Sequence, residues 1–135
     1  MTSALRRTRK KIVTFLGART RDQLIVTHLD NINRATDDGS AEFHGTVVDL
    51  LAQHLNTRQY PKPKIFACGP NPMLYRLSQL AEKYDIPCEM SLESAMACGV
   101  GLCQGCPVET RNGEKKYALI CTAGPVFDSR TIRIA

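Results

Sequence analysis

The chain has no tryptophan, and its four Phe and four Tyr make up only 6% of 135 residues. That scarcity excludes little, because hydrophobic residues at 43% suffice for the core of one domain, or of one domain with a small appendage. No apolar run approaches the ~20 residues that a membrane-spanning helix needs, and the N-terminus carries no apolar signal-peptide core. Both absences point to a cytoplasmic protein, without membrane contact, whose thiols stay available to metal. Acid is the scarcer charge, with 13 Asp and Glu against 18 Lys and Arg, a formal charge of +5. Five of those basic residues lie in Arg6-Arg7-Thr8-Arg9-Lys10-Lys11. No aromatics interleave with them, so the run reads as a solvated helix face and not as a nucleic-acid or lipid contact. There is no internal repeat and no low-complexity segment. Nor is there a second C-x2-C knuckle, which a structural zinc site usually has.

What the chain does have is cysteine. Four of its six cysteines fall in one stretch, Cys98-x4-Cys103-x2-Cys106-x14-Cys121. Three thiols within nine residues and a fourth from a strand beyond form the plant-type arrangement for a [2Fe–2S] cluster. Gly99, Gly101 and Gly105 lie among them. Without a Cβ they can take positive φ and bring backbone N–H groups against sulfurs that carry negative charge. A zinc-bearing interaction module, a disulfide framework and buried free thiols are the competing readings. Cys88 reads as structural.

In chain order, Ile12–Leu16 is expected to be a buried strand stopped by Gly17. Thr20 and Gln23 form a capping box opening a helix through about Leu29. Asn31–Thr36 is a weak strand, and Asp37-Asp38-Gly39-Ser40 a loop. Thr46 and Asp49 cap a helix whose apolar face is Val47, Leu50, Leu51 and Leu55. Lys64–Cys68 is a short buried strand. Asn71 caps a helix with Pro72 at its first position and a stripe of Leu74, Leu77, Ala81 and Tyr84. Ile86, Cys88, Met90 and Leu92 alternate as a strand, with Pro87 arguing for a sheet edge. Pro107–Thr110 and Lys115–Cys121 flank Asn112-Gly113, a strong hairpin signal, and the tail holds a last strand. Strands alternating with helices give an α/β body with a mostly parallel sheet over 1–92, followed by a small antiparallel cluster-binding subdomain over 93–135.

Four segments in this order resemble the C-terminal half of ferredoxin–NADP reductase-like proteins: Phe15–Thr20, Thr36–Ser40, Ala67–Met73, and Ser91-Leu92-Glu93 with Met96–Gly99. Taken together they resemble the iron–sulfur electron-transfer subunit of NAD-dependent dihydroorotate dehydrogenase. The resemblance implies an incomplete Rossmann-like nucleotide-binding domain carrying a [2Fe–2S] subdomain, with Cys98, Cys103, Cys106 and Cys121 as the ligands. Cys68, Gly69 and Pro70 would face the nicotinamide and the flavin, outside the carboxyl end of a strand. Gly17, Arg19, Thr36, Asp37, Asp38 and Gly39 would line the pyridine-nucleotide side. It implies NAD(H), FAD and an FMN-containing catalytic dehydrogenase as partner, in pyrimidine biosynthesis. An NAD-linked subunit of a hydrogenase or sulfide dehydrogenase is the related alternative. Members of the family begin with a flavin-holding barrel, a first strand and a Gly-rich turn at a helix N-terminus. A separate segment or chain is expected to supply these, and the chain alone is not expected to be catalytic.

Overall fold

The computed structural model describes residues 4–5, 7–8, 10–111 and 115–134. The chain divides into two compact units, Met1–Gln59 and Tyr60–Ala135. No helix among the described residues is long and apolar enough to cross a membrane.

The first unit is a three-stranded parallel sheet with one helix on it. Strands β1 (Thr14–Ala18), β2 (Ile32–Thr36) and β3 (Phe43–His44) lie in that order, with Thr14 opposite Ile32 and Ala35 opposite Phe43. Helix α1 (Val47–Thr57) packs on β1 and β2. Its start is fixed as expected: the Thr46 hydroxyl oxygen accepts the Asp49 N–H at 3.2 Å, which satisfies one of the four orphan donors of a helix N-terminus. Val47, Leu50, Leu51 and Leu55 are only half-buried, however, and the residues that α1 buries are Val48 and His54. The His54 ring meets the Phe15 ring edge to face, with centroids 5.0 Å apart.

Two expectations for this unit fail. The first strand runs through Gly17 instead of stopping at it, and is half-buried. A Cβ at Gly17 would come within 2.8 Å of Val47 Cβ, so glycine serves here to let α1 approach the strand. The helix expected from Thr20 to Leu29 is a single 3-10 turn, Arg21–Gln23, and Thr20 makes no capping bond. Instead the Gln23 side-chain oxygen accepts the Arg19 N–H at 3.2 Å. The β-branched run Ile25-Val26-Thr27 disfavours helix, and His28 and Asn31 take φ of 63° and 46°, which no α-helix accommodates. The expected N-terminal basic helix face falls partly outside the described residues, which leave out Arg6 and Arg9.

In the second unit β4 (Ile65–Cys68) pairs parallel with β5 (Cys88–Ser91), and β8 (Val126–Asp128) adds antiparallel to the other side of β5. Helix α2 (Asn71–Lys83) packs on β4 and β5, burying Leu74, Leu77, Ser78 and Ala81. Pro70, not Asn71, occupies the cap position, and no side chain caps this helix. Ile86, Cys88, Met90 and Leu92 are all buried, as their alternation predicts. Yet β5 is the central strand: Pro87 precedes it and its carbonyl accepts the Ile65 N–H at 2.9 Å, so the proline marks no edge. Strand β4 is not buried, since Phe66 and Cys68 are exposed. A second, antiparallel sheet has the order β7-β6-β9, from β6 (Pro107–Thr110), β7 (Tyr117–Leu119) and β9 (Ile132–Arg133). The β6–β7 hairpin is as expected, while its Asn112-Gly113 turn lies outside the described residues. The parallel pairings thus lie in two separate sheets, since no strand among the described residues pairs with both β1 and β4.

Candidate cluster site and nucleotide loops

The cysteine-rich loop leaves β5 at Leu92, whose N–H is held by the Pro125 carbonyl at 2.9 Å. Gly99 and Gly101 take φ of 69° and 84°, the left-handed region that glycine enters without cost. Gly105 does not. Gln104 takes the positive φ there, at 56°, and the missing Cβ of Gly105 leaves room for the Cys103 sulfur, 3.3 Å from where that Cβ would lie. This winding turns backbone donors onto the sulfurs. The Cys103 N–H donates to Cys98 Sγ at 3.4 Å. The N–H groups of Cys103 and Val100 pull the Cys98 thiol down to about 6, which favours the thiolate.

Cys106 ends the loop and is buried. Its Sγ accepts the Cys121 N–H at 3.5 Å. Cys121 lies in α3 (Ile120–Ala123), a single helical turn following β7, and not on a strand. The Cys121 N–H and thiol, donating hydrogen bonds to the Cys106 sulfur, hold Cys106 low, and the same thiol–sulfur hydrogen bond raises Cys121. Charge on Cys98 acts on both Cys106 and Cys121, and the Gly101 N–H faces the Cys121 sulfur, so the four cysteines share one neighbourhood. They meet as two pairs, Cys98 with Cys103 and Cys106 with Cys121. Among the described residues no three His, Cys, Asp or Glu side chains converge on a single ion position. Two thiolates for each of two irons is the donor set of a [2Fe–2S] cluster, so the residues fit that group. Cys68 and Cys88 stand apart from it. Cys68 is exposed at the end of β4, while Cys88 is buried, its thiol pushed up to about 11 by burial and then by the Asp128 charge.

Three features of this site lie outside the expectations drawn from the sequence. The donor turn at Ile120-Cys121 is one, since four residues are too few to show helical periodicity. The place of the Thr122 methyl group, 3.1 Å from where a Cβ on Gly101 would lie, is another. The third is an apolar rim: Met96, Val100 and Leu102 are 50%, 65% and 83% exposed around the loop. Large apolar side chains in a glycine-rich loop that no strand or helix claims were the available signal.

The residues assigned to the nucleotide fall on two sets of loops. In the first unit the turns after β1 and β2 are laced together: Asp37 and Asp38 donate their N–H groups to the carbonyls of Ala18 and Arg19 at 3.1 and 3.2 Å. The Ser40 hydroxyl and N–H reach Asp38 Oδ1 at 2.6 and 3.0 Å and hold its carboxyl below the usual range. Gly17, Arg19, Asp37, Asp38 and Gly39 are exposed, but Thr36 is fully buried, with its hydroxyl oxygen accepting the Ala41 N–H at 3.0 Å. It shapes the loop from below. In the second unit Cys68-Gly69-Pro70 leads into α2, and the Pro70 carbonyl accepts the N–H groups of Met73 and Leu74 at 3.0 Å.

Residues 93–133 match the iron–sulfur cluster binding domain of dihydroorotate dehydrogenase B. The dihydroorotate dehydrogenase B (NAD(+)) electron transfer subunit of Desulforamulus reducens is 34% identical over 88% of this chain. The probable electron transfer subunit of the same enzyme from Thermoplasma acidophilum is 39% identical over 87%. The chain resembles dihydroorotate dehydrogenase B electron-transfer subunits. It spans about half the length of these relatives, 47% of the first and 44% of the second. A solved structure of the NADH-dependent reduced ferredoxin–NADP oxidoreductase, studied for flavin-based electron bifurcation, superposes with a TM-score of 0.78. The identity is 28%, over 98% of this chain and 48% of that one.

Proposed function

We propose that the chain is the cluster-bearing part of an electron-transfer subunit. Cys98, Cys103, Cys106 and Cys121 hold a [2Fe–2S] cluster on the route between NAD(H) with its flavin and a partner dehydrogenase. That partner is the flavin-bearing catalytic subunit that oxidises dihydroorotate in pyrimidine synthesis. The observation that carries this reading is the two thiol pairs, each with a backbone N–H aimed at a sulfur. When bound, the cluster supplies a centre that takes up and returns one electron at a time.

The chain's own residues then have distinct tasks. The N–H groups of Cys103 and Cys121 stabilise charge on the sulfurs, and each added donor raises the potential of such a centre. Cys106 is buried and Cys103 exposed, so the first cysteine pair is the solvent-facing one. Met96, Val100 and Leu102 rim that side with surface that a docked partner would cover and dry. On the nucleotide side, Gly17, Arg19 and Asp37–Gly39 would border NAD(H). Cys68, Gly69 and Pro70 would border the flavin and nicotinamide, and Thr36 would hold its loop in place.

The test uses the cluster-loaded chain, reduced with dithionite and freed of excess reductant without oxygen. Mixing it with a dihydroorotate dehydrogenase B catalytic subunit should restore the oxidised visible spectrum as the partner's flavin bleaches. Electron transfer to a hydrogenase subunit and none to this one would move the chain to the related class. A colourless protein carrying zinc would end the electron-transfer reading.

A further inference from the structure

A cavity of about 570 Å³ in the second unit has a lining made wholly of charged residues: Glu82, Asp85, Arg111, Arg130 and Arg133. Three guanidinium groups face two carboxylates there, an excess of one positive charge among the lining residues. Two of the arginines pair across it, Arg111 Nη1 with Glu82 Oε2 at 3.4 Å and Arg130 Nη2 with Asp85 Oδ1 at 2.6 Å. Arg133 pairs instead with Glu109, outside the lining, at 3.6 Å. All three pairs are solvent-accessible, and exposed ion pairs contribute only about 0–1 kcal/mol. Each guanidinium can therefore be given up to a better acceptor at little loss.

The backbone beneath these arginines is fixed. The Arg111 N–H donates to the Thr131 carbonyl at 2.8 Å, and the Arg130 N–H donates to Asp128 Oδ1 at 2.9 Å. Arg133 lies on β9, in register with Glu109 of β6. Three planar forks thus rise from adjacent, hydrogen-bonded segments toward one concavity. Guanidinium forks match carboxylate and phosphate oxygens two at a time, and the volume suits a small molecule bearing several such groups. A lone monovalent anion would leave most of the cavity unused, and a concave site suits a small ligand better than a flat acidic protein surface.

We infer that this cavity is a binding site for a small polyanion, carrying two or more phosphate or carboxylate groups, distinct from the cluster and nucleotide residues. The ligand takes Arg111 and Arg130 from Glu82 and Asp85 and adds Arg133. It therefore joins the end of β6, the strand that begins next to Cys106, to the turn before β9 and to β9 itself, and releases Glu82 of α2 and Asp85 of the turn after it.

The experiment titrates the cluster-loaded chain by calorimetry with pyrophosphate and with citrate, against sodium chloride at matched ionic strength. Saturable one-to-one binding of at least one of the two is expected. Arg130→Gln and Arg133→Gln should each weaken it by about tenfold or more, since each removes a charge-assisted contact, with the visible spectrum unchanged. Glu82→Gln with Asp85→Asn should instead strengthen it several-fold, a gain that misfolding cannot imitate. Heats that never saturate, or that sodium chloride reproduces, would overturn the inference. So would equal affinity in the arginine variants, a weaker affinity in the Glu82→Gln/Asp85→Asn protein, or binding confined to an acidic peptide.

Discussion

At the scale of single residues, cysteines and glycines that lie close in the chain have different tasks. Cys98, Cys103, Cys106 and Cys121 meet in two pairs, so replacing any one by Ser should remove most of the iron bound per chain. Cys68→Ser and Cys88→Ser should keep it; iron analysis after reconstitution decides. Thiol labelling gives an independent check. With the cluster in place, iodoacetamide at mildly alkaline pH should modify the exposed Cys68 and leave Cys88 unmodified until the chain is unfolded, since burial holds that thiol up to about 11. Early labelling of Cys88 would mean that β5 is not packed as described. The glycines differ as well. A Cβ at Gly99 meets nothing within 4 Å, so Gly99→Ala carries only the strain of a positive φ, about 1–2 kcal/mol. A Cβ at Gly101 would also press to 3.1 Å from the Thr122 methyl group. Gly101→Val should therefore reconstitute little cluster while Gly99→Ala retains most of it, as the visible absorbance per chain will report.

At the scale of elements, α1 buries a histidine against Phe15, and this has a pH consequence. Burial, then the charges of Arg58 and Lys11, lower the His54 pKa, so the folded state prefers the neutral ring. The unfolded chain takes up its proton near pH 6.5. Stability from this residue is therefore complete above that value and is lost as pH falls from it toward the lower folded-state pKa. The melting temperature should drop between neutral pH and pH 5, and His54→Gln should flatten that part of the profile. An unchanged slope in the variant would remove His54 from the explanation. His54 was not legible in the sequence, because the helical stripe was read from Val47, Leu50, Leu51 and Leu55 alone. Other elements were legible wherever a local rule sufficed: the Thr46 cap, the alternation from Ile86 to Leu92, and the hairpin strands around residues 112–114. The failures came where neighbours overrode the local rule. The capping box at Thr20 lost to a β-branched run, Gly17 read as a stop because its contact with Val47 is long-range, and Pro87 read as an edge although it precedes its strand. The meeting of Cys98, Cys103, Cys106 and Cys121 in two pairs was legible in their spacing. The exposed rim and the donor turn at Cys121 were not, since neither has a period.

At the scale of the whole molecule, the C-terminal third carries the specific chemistry. The match to the iron–sulfur domain runs from residue 93 to 133. Strand β8, within that span, nevertheless joins the sheet of β4 and β5, so the stretch that carries all four cysteines, from Cys98 to Cys121, lies between two strands, β5 and β8, of the sheet that presents Cys68. The central claim is that two cysteine pairs hold one two-iron centre. It is tested most directly by reconstituting the full chain with iron and sulfide, counting iron, and recording the paramagnetic resonance spectrum after one-electron reduction by dithionite. Two irons per chain are expected, with a spin-half signal from the reduced protein that is absent from Cys103→Ser and present in Cys88→Ser. One zinc per chain without such a signal, or a full signal in the Cys103→Ser protein, would contradict the account.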